Sequence, residues 1–289
     1  MSTQTIVAPR RRSTLLADSW VIAKRNLKHV QRAPEALSDA TIQPIMFVLL
    51  FAYVFGGAID VPGGGDYKEF LMGGIYAQTI VFGCFGVAMA LSNDRNNGAI
   101  DRFHSMPINP AAVLAGHSIA NLFRSLLPIV LMSLTGAVVG WRIRGDAAET
   151  VLAYALMIGF SFAMIWVGVM LGCLCKTPEA VQGISFVVIF PITFISSAFV
   201  PADSLPNGLR QFAQWNPTTT LADALRTQFH NPGGANDPAV AQSLAAAPWS
   251  IAHSTAYTWL WIAAIVAIFV PLSARLYRRE FREIGRAHV

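Results

Sequence analysis

The chain alternates long apolar runs with short polar segments. Six of these runs come close to the ~20 residues that a helix needs to cross the hydrocarbon core of a bilayer. Lipid offers no hydrogen-bond partner to a free peptide group, so such runs are helical. The pattern therefore predicts an all-α membrane protein with a single transmembrane domain over residues 1–289. The predicted spans are 40–58, 70–91, 111–140, 151–175, 180–200 and 251–272.

A one-sided apolar stripe precedes the first span. Apolar residues recur at steps of three and four through residues 14–33, and cations flank the stripe. A helix with this pattern either lies in the membrane interface, with its cations toward the lipid headgroups, or packs on the cytoplasmic side of the protein itself. We favour the interfacial position. The residues predicted to contact the interface are Trp20, Lys24, Arg25 and Lys28.

The other polar segments also have predicted roles. Residues 1–13 are expected to form a disordered tail, 201–250 an outer-face segment with short helices, and 273–289 a cytoplasmic tail. Too few apolar residues follow the arginines at positions 10–12 to form the core of a signal peptide, so we expect no cleaved signal.

Composition and charge indicate the class of protein and its orientation. Of the 289 residues, 54% are hydrophobic and only 13% are charged, whereas soluble domains average about 25% charged residues. Lys and Arg concentrate in segments on the same side as the N-terminus, although Arg142 and Arg144 fall on the other side. The positive-inside rule then predicts a membrane protein with both termini in the cytoplasm. The cations are not interleaved with aromatic residues, so we expect no nucleic-acid binding.

Several kinds of chemistry lack the residues they need. No lysine follows a glycine, so the phosphate-binding loop of common ATPases is absent from the sequence. No carboxylate falls in the middle of a span, which disfavours a proton- or ion-driven carrier. The histidines are scattered, and Cys84, Cys173 and Cys175 lie in apolar runs as small hydrophobic residues. We therefore expect no catalytic residue, metal or cofactor in this chain.

The segment between the second and third spans is NDRNNGAIDRFHSMPINP, residues 93–110. Gly98 permits a sharp bend after the second span. Phe103 and Met106 offer an apolar knob, and Arg102 offers a planar fork for a carboxylate or a carbonyl. Prolines near its end would stop a short helix. The residues alone leave open whether this segment is a solvated loop or a binding site for a partner protein.

This segment reads D-R-x-x-G-x-x-D-R-F-x-x-x-P and resembles the cytoplasmic signature of the ABC-2 family of ABC exporter permeases. The resemblance covers residues 14–282 and, in the daunorubicin-resistance branch, includes GWRIRGD and KTPEAVQGISFVVIFPITFISSAFVPADSLPNGLRQFAQWNPTTTLADALR. In that family the segment forms a short coupling helix against the ATPase subunit. Many members carry a glutamate where this chain has Asn97. The coupling residues that the resemblance implies are Asp94, Arg95, Asn97, Gly98, Asp101, Arg102, Phe103, Met106 and Pro107.

The resemblance implies the permease subunit of an ATP-driven exporter in the bacterial inner membrane. Two cytoplasmic ABC ATPase subunits would bind ATP and Mg, and a second copy of this chain or a related permease would complete the pathway. The expected cargo is an amphiphilic drug, antibiotic or lipid, moved out of the cytoplasm or inner leaflet. The alternatives are an ATP-independent carrier or channel and a non-transporting membrane scaffold.

Three features within the spans each allow two interpretations. Arg124 is either a functional or structural charge, or a cation that snorkels to the inner boundary. Glycines between positions 73 and 86 allow close helix packing, within one subunit in our favoured interpretation or at a dimer seam. Apolar side chains in the first two spans could contact either a hydrophobic substrate or lipid. The candidate substrate-lining residues are Phe47, Phe51, Phe82, Phe85 and Met89.

Overall fold

The computed structural model of the chain describes residues 34–56, 59, 61, 65–97, 110–175, 177–237, 240 and 247–287. Over these ranges every regular element is helical, which confirms the predicted all-α class. The α-helices are α1 (Pro34–Leu50), α2 (Tyr67–Asn96), α3 (Pro110–Val139), α4 (Ala147–Leu174), α5 (Pro178–Phe194), α6 (Asn207–Trp215), α7 (Pro217–Phe229), α8 (Trp249–Ala252) and α9 (Ser254–Ala287). A π-helical turn, Phe51–Phe55, continues α1, and a 3-10 turn, Ala202–Ser204, precedes α6.

Four helices of the described residues are long and apolar enough to cross a membrane. They are α2, the part Ser118–Val139 of α3, α4, and the part Ser254–Tyr277 of α9. The helices Ile42–Phe55 and Pro178–Phe194 are apolar but shorter than the ~20 residues of a full span. The layout of six spans therefore remains a prediction. The predicted interfacial helix at 14–33 lies outside the described residues.

The helix of the fifth predicted span ends at Phe194, and the turn that follows it packs against α7. The side-chain amide of Asn216 donates hydrogen bonds to the carbonyls of Ile192 and Ile195, the latter at 2.7 Å. These carbonyls lie at the end of α5, where no further helical N–H is available to them. Just beyond, the backbone N–H of Ser197 donates to the hydroxyl of Thr219 at 3.0 Å. The turn after α5 is thereby fixed against α7.

The centre of the fold is formed by α2 and α4, which run parallel. The start of α2 meets the segment that leads into α4, and the last turns of the two helices meet at the opposite end. Their surfaces approach closely, because a Cβ added at Gly168 would overlap the Cys84 carbonyl. One added at Gly172 would lie 3.0 Å from the Ala88 carbonyl. In lipid, such packing stabilises the pair through van der Waals contact rather than through the release of water.

The short polar helix α7 is buried beside α2. Asn216 caps its N-terminus, with Oδ1 accepting from the Thr218 N–H at 2.8 Å. Pro217 occupies the first helical position, where its missing N–H costs nothing. His230 ends the helix in the left-handed conformation, at φ 52°. Most side chains of α7 are buried, so the polar segment at 201–250 contributes part of the core.

The long helix α9 covers another side of α4. The hydroxyl of Ser273 donates to the Trp166 carbonyl at 3.2 Å. Tyr277 is buried in an apolar cluster that includes Val87 of α2 and Val169 of α4. The short helices expected between the fifth and sixth spans are present as α6, α7 and α8.

Candidate coupling end and substrate-lining surface

The last turn of α2 begins the predicted coupling segment. Arg95 turns toward α4, and its Nη1 donates to the Cys175 carbonyl at 2.8 Å while Nη2 donates to the Cys173 carbonyl at 3.3 Å. These carbonyls lie at the C-terminal end of α4, which carries the negative end of the helix dipole. Asn97 forms the C-cap of α2, and Asp94 is half-buried. The described part of the segment is therefore already engaged within the chain through Arg95.

The rest of the coupling segment, residues 98–109, lies outside the described residues, and α3 begins at Pro110. The roles assigned to this segment stay predictions. Its candidate residues are Gly98, Asp101, Arg102, Phe103, Met106 and Pro107. The candidate interface residues, which are also outside the described ranges, are Trp20, Lys24, Arg25 and Lys28.

A buried arginine organises the opposite end of the bundle. Arg226 of α7 is 1% exposed. Its Nη1 donates to Asp223 Oδ1 at 2.7 Å, its Nη2 to the Ser197 carbonyl at 2.8 Å, and its Nε to the Phe70 carbonyl at 2.9 Å. The guanidinium also lies 3.6 Å from the centroid of the Phe70 ring. One side chain thus joins α2, α7 and the turn after α5.

Burial lowers the pKa of the Arg226 guanidinium, and the charge of Asp223 acts against this shift. An arginine stays protonated in proteins, so the group is a buried cation whose desolvation is offset by Asp223 and the surrounding carbonyls. The sequence indicates only that Arg226 belongs to the polar segment 201–250, and the burial of this residue was not predicted. The available signal was the spacing of three between Asp223 and Arg226, which puts both on one helix face.

The segment leading into α4 is attached to the same end. Arg144 forms a two-pronged pair with Glu69 in the first turn of α2, with Nη2 2.7 Å from Oε1. The side chain of Glu69 is 7% exposed and that of Arg144 is 54% exposed. The hydrogen bonds and charge of Glu69 raise the pKa of Arg144. Trp141 Nε1 donates to Asn231 Oδ1 at 2.7 Å, which ties this segment to the end of α7.

Phenylalanine rings stack beside this polar end. The centroids of Phe51 and Phe199 are 4.5 Å apart, and those of Phe47 and Phe51 are 5.8 Å apart. The Tyr67 hydroxyl donates to the Phe199 carbonyl at 3.0 Å, which anchors that ring to α2. Phe51 opens the π-helical turn, a rare element that often marks functional sites. A cavity of about 230 Å³ is lined by Phe51, Phe194, Ser196, Phe199, Val200 and Leu205.

The remaining candidates in the spans lie along α2 and α3. Phe82 and Phe85 are half-buried against the main core, and Met89 is half-buried further along α2. Phe47 and Phe51 instead belong to the ring stack with Phe199. Arg124 is half-buried within α3. Its assignment as a functional charge or a snorkelling cation stays open.

The glycines of α2 divide into two groups. Gly73 and Gly74 pack against α7 and the turn after α5, because an added Cβ would crowd Ala222 or overlap Ala198. A Cβ at Gly83 or Gly86 would meet no atom within 4 Å in the part of the chain that the structure describes. Packing within one subunit therefore explains the first pair, whereas the described residues show no such close packing at the second pair.

Long apolar helices, a closely packed parallel pair at their centre and a polar segment between α2 and α3 define a multi-pass membrane protein. The profile of the ABC-2 type transporter family matches residues 18–230. The chain belongs to this family, and it is a membrane permease subunit of an ABC transporter. In this family, ATP hydrolysis is carried by a separate ATPase subunit.

Named relatives cover much of the chain. It is 28% identical to the daunorubicin resistance ABC transporter permease protein DrrB1 of Streptomyces coeruleorubidus, over 93% of this chain and 89% of the relative. It is 24% identical to the probable doxorubicin resistance ABC transporter permease protein DrrC of Mycobacterium tuberculosis, over 65% of this chain and 67% of the relative. It is also 24% identical to the putative transport permease ycf38 of Cyanophora paradoxa, over 73% of each chain.

Proposed function

We propose that this permease exports an amphiphilic drug, antibiotic or lipid from the cytoplasm or inner leaflet of a bacterial cell. Two cytoplasmic ATPase subunits bind ATP and Mg and supply the energy. A second copy of the chain or a related permease forms the other half of the pathway. Both termini lie in the cytoplasm, so the coupling segment faces the ATPase.

The observation that carries this proposal is the family match over residues 18–230, which includes the whole coupling segment. The names of two relatives refer to resistance to daunorubicin or doxorubicin, which supports a drug-like cargo. The lack of a phosphate-binding loop in the sequence supports a separate energy source.

The coupling step follows from the placement of the segment directly after α2. A partner that moves on binding ATP would press on the apolar knob of Phe103 and Met106, while Arg102 pairs with a carboxylate or carbonyl of the ATPase. The push reaches the membrane through α2, because residues 98–109 follow its last turn. Because this chain has Asn97 where many family members carry a glutamate, Asp94 and Asp101 are the acidic residues left to contact the ATPase.

The stacked rings of Phe47, Phe51 and Phe199 suit the apolar part of an amphiphile. The adjoining cavity of about 230 Å³ is smaller than the roughly 300–1,000 Å³ of pockets that enclose a drug-sized ligand. It therefore accommodates only part of a cargo molecule. Phe82, Phe85 and Met89 extend the candidate surface along α2.

The proposal is tested by co-expressing the permease with its ATPase and weighing the purified complex by native mass spectrometry. We expect two permease and two ATPase subunits. Arg102→Glu and Phe103→Asp should strip the ATPase from a folded permease and abolish transport. The matched controls, Arg142→Glu and Phe212→Asp, change exposed residues at the opposite end and should retain it. Full transport by both coupling variants would refute the proposal.

A further inference from the structure

The predicted coupling residue Arg95 points into its own subunit. Its two guanidinium nitrogens donate to carbonyls at the C-terminal end of α4, at 2.8 and 3.3 Å. A cation at this position is favoured by the helix dipole, and its planar fork can bridge two carbonyls at once. The end of α2, where the coupling segment starts, is thereby fastened to the end of α4.

The attachment of α2 to α4 extends beyond Arg95. The helices approach each other closely here, because a Cβ at Gly168 would overlap the Cys84 carbonyl and one at Gly172 would be in tight contact with Leu91. At the far end, Arg144 leads into α4 and pairs with Glu69 of α2. Two helices that pack closely and contact each other at both ends move together more readily than they slide apart.

We infer that Arg95 is a positioning residue that makes α2 and α4 move as one block when the coupling segment is displaced. The inference rests on the proposed ATP-driven function and gives the coupling residues separate tasks. Arg102 and Phe103 meet the ATPase, whereas Arg95 passes the movement from α2 to a second helix. Displacement then reaches the far end of the bundle through both the Phe70–Arg226 and the Glu69–Arg144 contacts.

The first test uses Arg95→Gln, Arg95→Lys and the control Arg142→Gln in the complex with its ATPase, reconstituted in proteoliposomes. ATP turnover and transport of rhodamine 6G are measured in the same vesicles. For Arg95→Gln we expect the ratio of transport to ATP hydrolysis to fall at least about tenfold, because the charge-assisted hydrogen bonds that hold α2 against α4 are lost. The rate of ATP hydrolysis should stay within about twofold of the wild-type rate. Arg95→Lys keeps the charge and should recover part of the ratio.

Unchanged transport per ATP in Arg95→Gln would overturn the inference. Loss of ATPase binding would also overturn it, because Arg95 would then be a direct contact for the partner. A wild-type complex without ATP-driven transport would refute the proposed function and this inference together. That result appears before any substitution is made, so the two failures are distinguishable.

A second test keeps Arg95 in place. With Cys84, Cys173 and Cys175 replaced by alanine, Leu91→Cys and Gly172→Cys introduce a disulfide between α2 and α4. An ideal Cβ at Gly172 lies 3.0 Å from the Leu91 Cβ, so a small shift reaches the roughly 3.5–4.5 Å of a disulfide. We expect the oxidised complex to transport as well as the reduced one. Loss on oxidation with recovery on reduction would show that the helices must separate.

Discussion

The guanidinium of Arg226 lies 3.6 Å from the centre of the Phe70 ring, and its Nε donates to the Phe70 carbonyl at 2.9 Å. The two residues are 156 positions apart in the sequence. Phe70 belongs to the first turn of α2 and Arg226 to the last turn of α7. The relationship fixes a polar helix against an apolar one, at the end of the bundle that lies furthest from the coupling segment.

Replacing Arg226 with methionine should strongly destabilise the permease. The substitution removes the cation that pairs with Asp223, whose carboxylate also accepts a hydrogen bond from the Ser197 hydroxyl. Breaking a buried pair in this way costs about 3–5 kcal/mol. The measurement is thermal unfolding of the purified permease in detergent. Arg142→Met, which removes an exposed guanidinium, serves as the control and should change the midpoint little. Equal midpoints for the two variants would contradict the account of this site.

Two glycines of α2 should respond in opposite ways to alanine. A Cβ at Gly74 would overlap the carbonyl of Ala198, and overpacking of this kind costs about 1–3 kcal/mol. A Cβ at Gly83 meets no atom within 4 Å among the described residues, so Gly83→Ala should gain about 0.5–1 kcal/mol of helix stability. Thermal unfolding of the two variants checks this contrast. A stabilising Gly74→Ala would show that the turn after α5 does not pack as described.

The amide of Asn216 should matter for more than the helix cap. Asn216→Asp keeps an oxygen for the Thr218 N–H but removes both donors to the carbonyls of Ile192 and Ile195. We expect a loss of about 1–3 kcal/mol, because buried acceptors lose their partner. Asn216→Ala should be no worse than the aspartate variant. A near wild-type midpoint for Asn216→Asp would mean that capping alone is important.

The Glu69–Arg144 pair should show a modest coupling energy. Arg144 is 54% exposed, so solvent screening limits the pair to about 0.5–1 kcal/mol. A double-mutant cycle with Glu69→Gln and Arg144→Gln measures this energy from unfolding midpoints. Arg144→Lys should lose part of it, because a lysine cannot form the two-pronged contact. Additive single substitutions would show that the pair is not coupled.

The helical class could be predicted because it depends on local composition. Runs of apolar residues without charges leave the backbone of a membrane protein no other stable form. The positions of α2 and α4 also follow from such runs, which match the spans predicted at 70–91 and 151–175. The end of the helix in the segment 180–200 could not be predicted in the same way. This helix ends at Phe194, and the carbonyls at its end accept hydrogen bonds from Asn216, a residue distant in the sequence.

The contacts that Arg226 makes outside its own helix could not be predicted from the sequence. Its acceptors come from three separate elements, and no local pattern around Phe70 or Ser197 indicates that they meet. Arg95 shows the same limit. The family resemblance marked it as a coupling residue, but only the fold shows that its side chain reaches Cys175 at the end of α4.

The most direct test of the central claim is uptake of rhodamine 6G by inside-out vesicles that contain the permease. Three samples are compared: the permease with its ATPase, the permease alone, and the permease with an ATPase inactivated in its phosphate-binding loop. We expect ATP-dependent uptake in the first sample and background uptake in the other two. Uptake by the permease alone, at the rate of the complete complex, would contradict the proposed function.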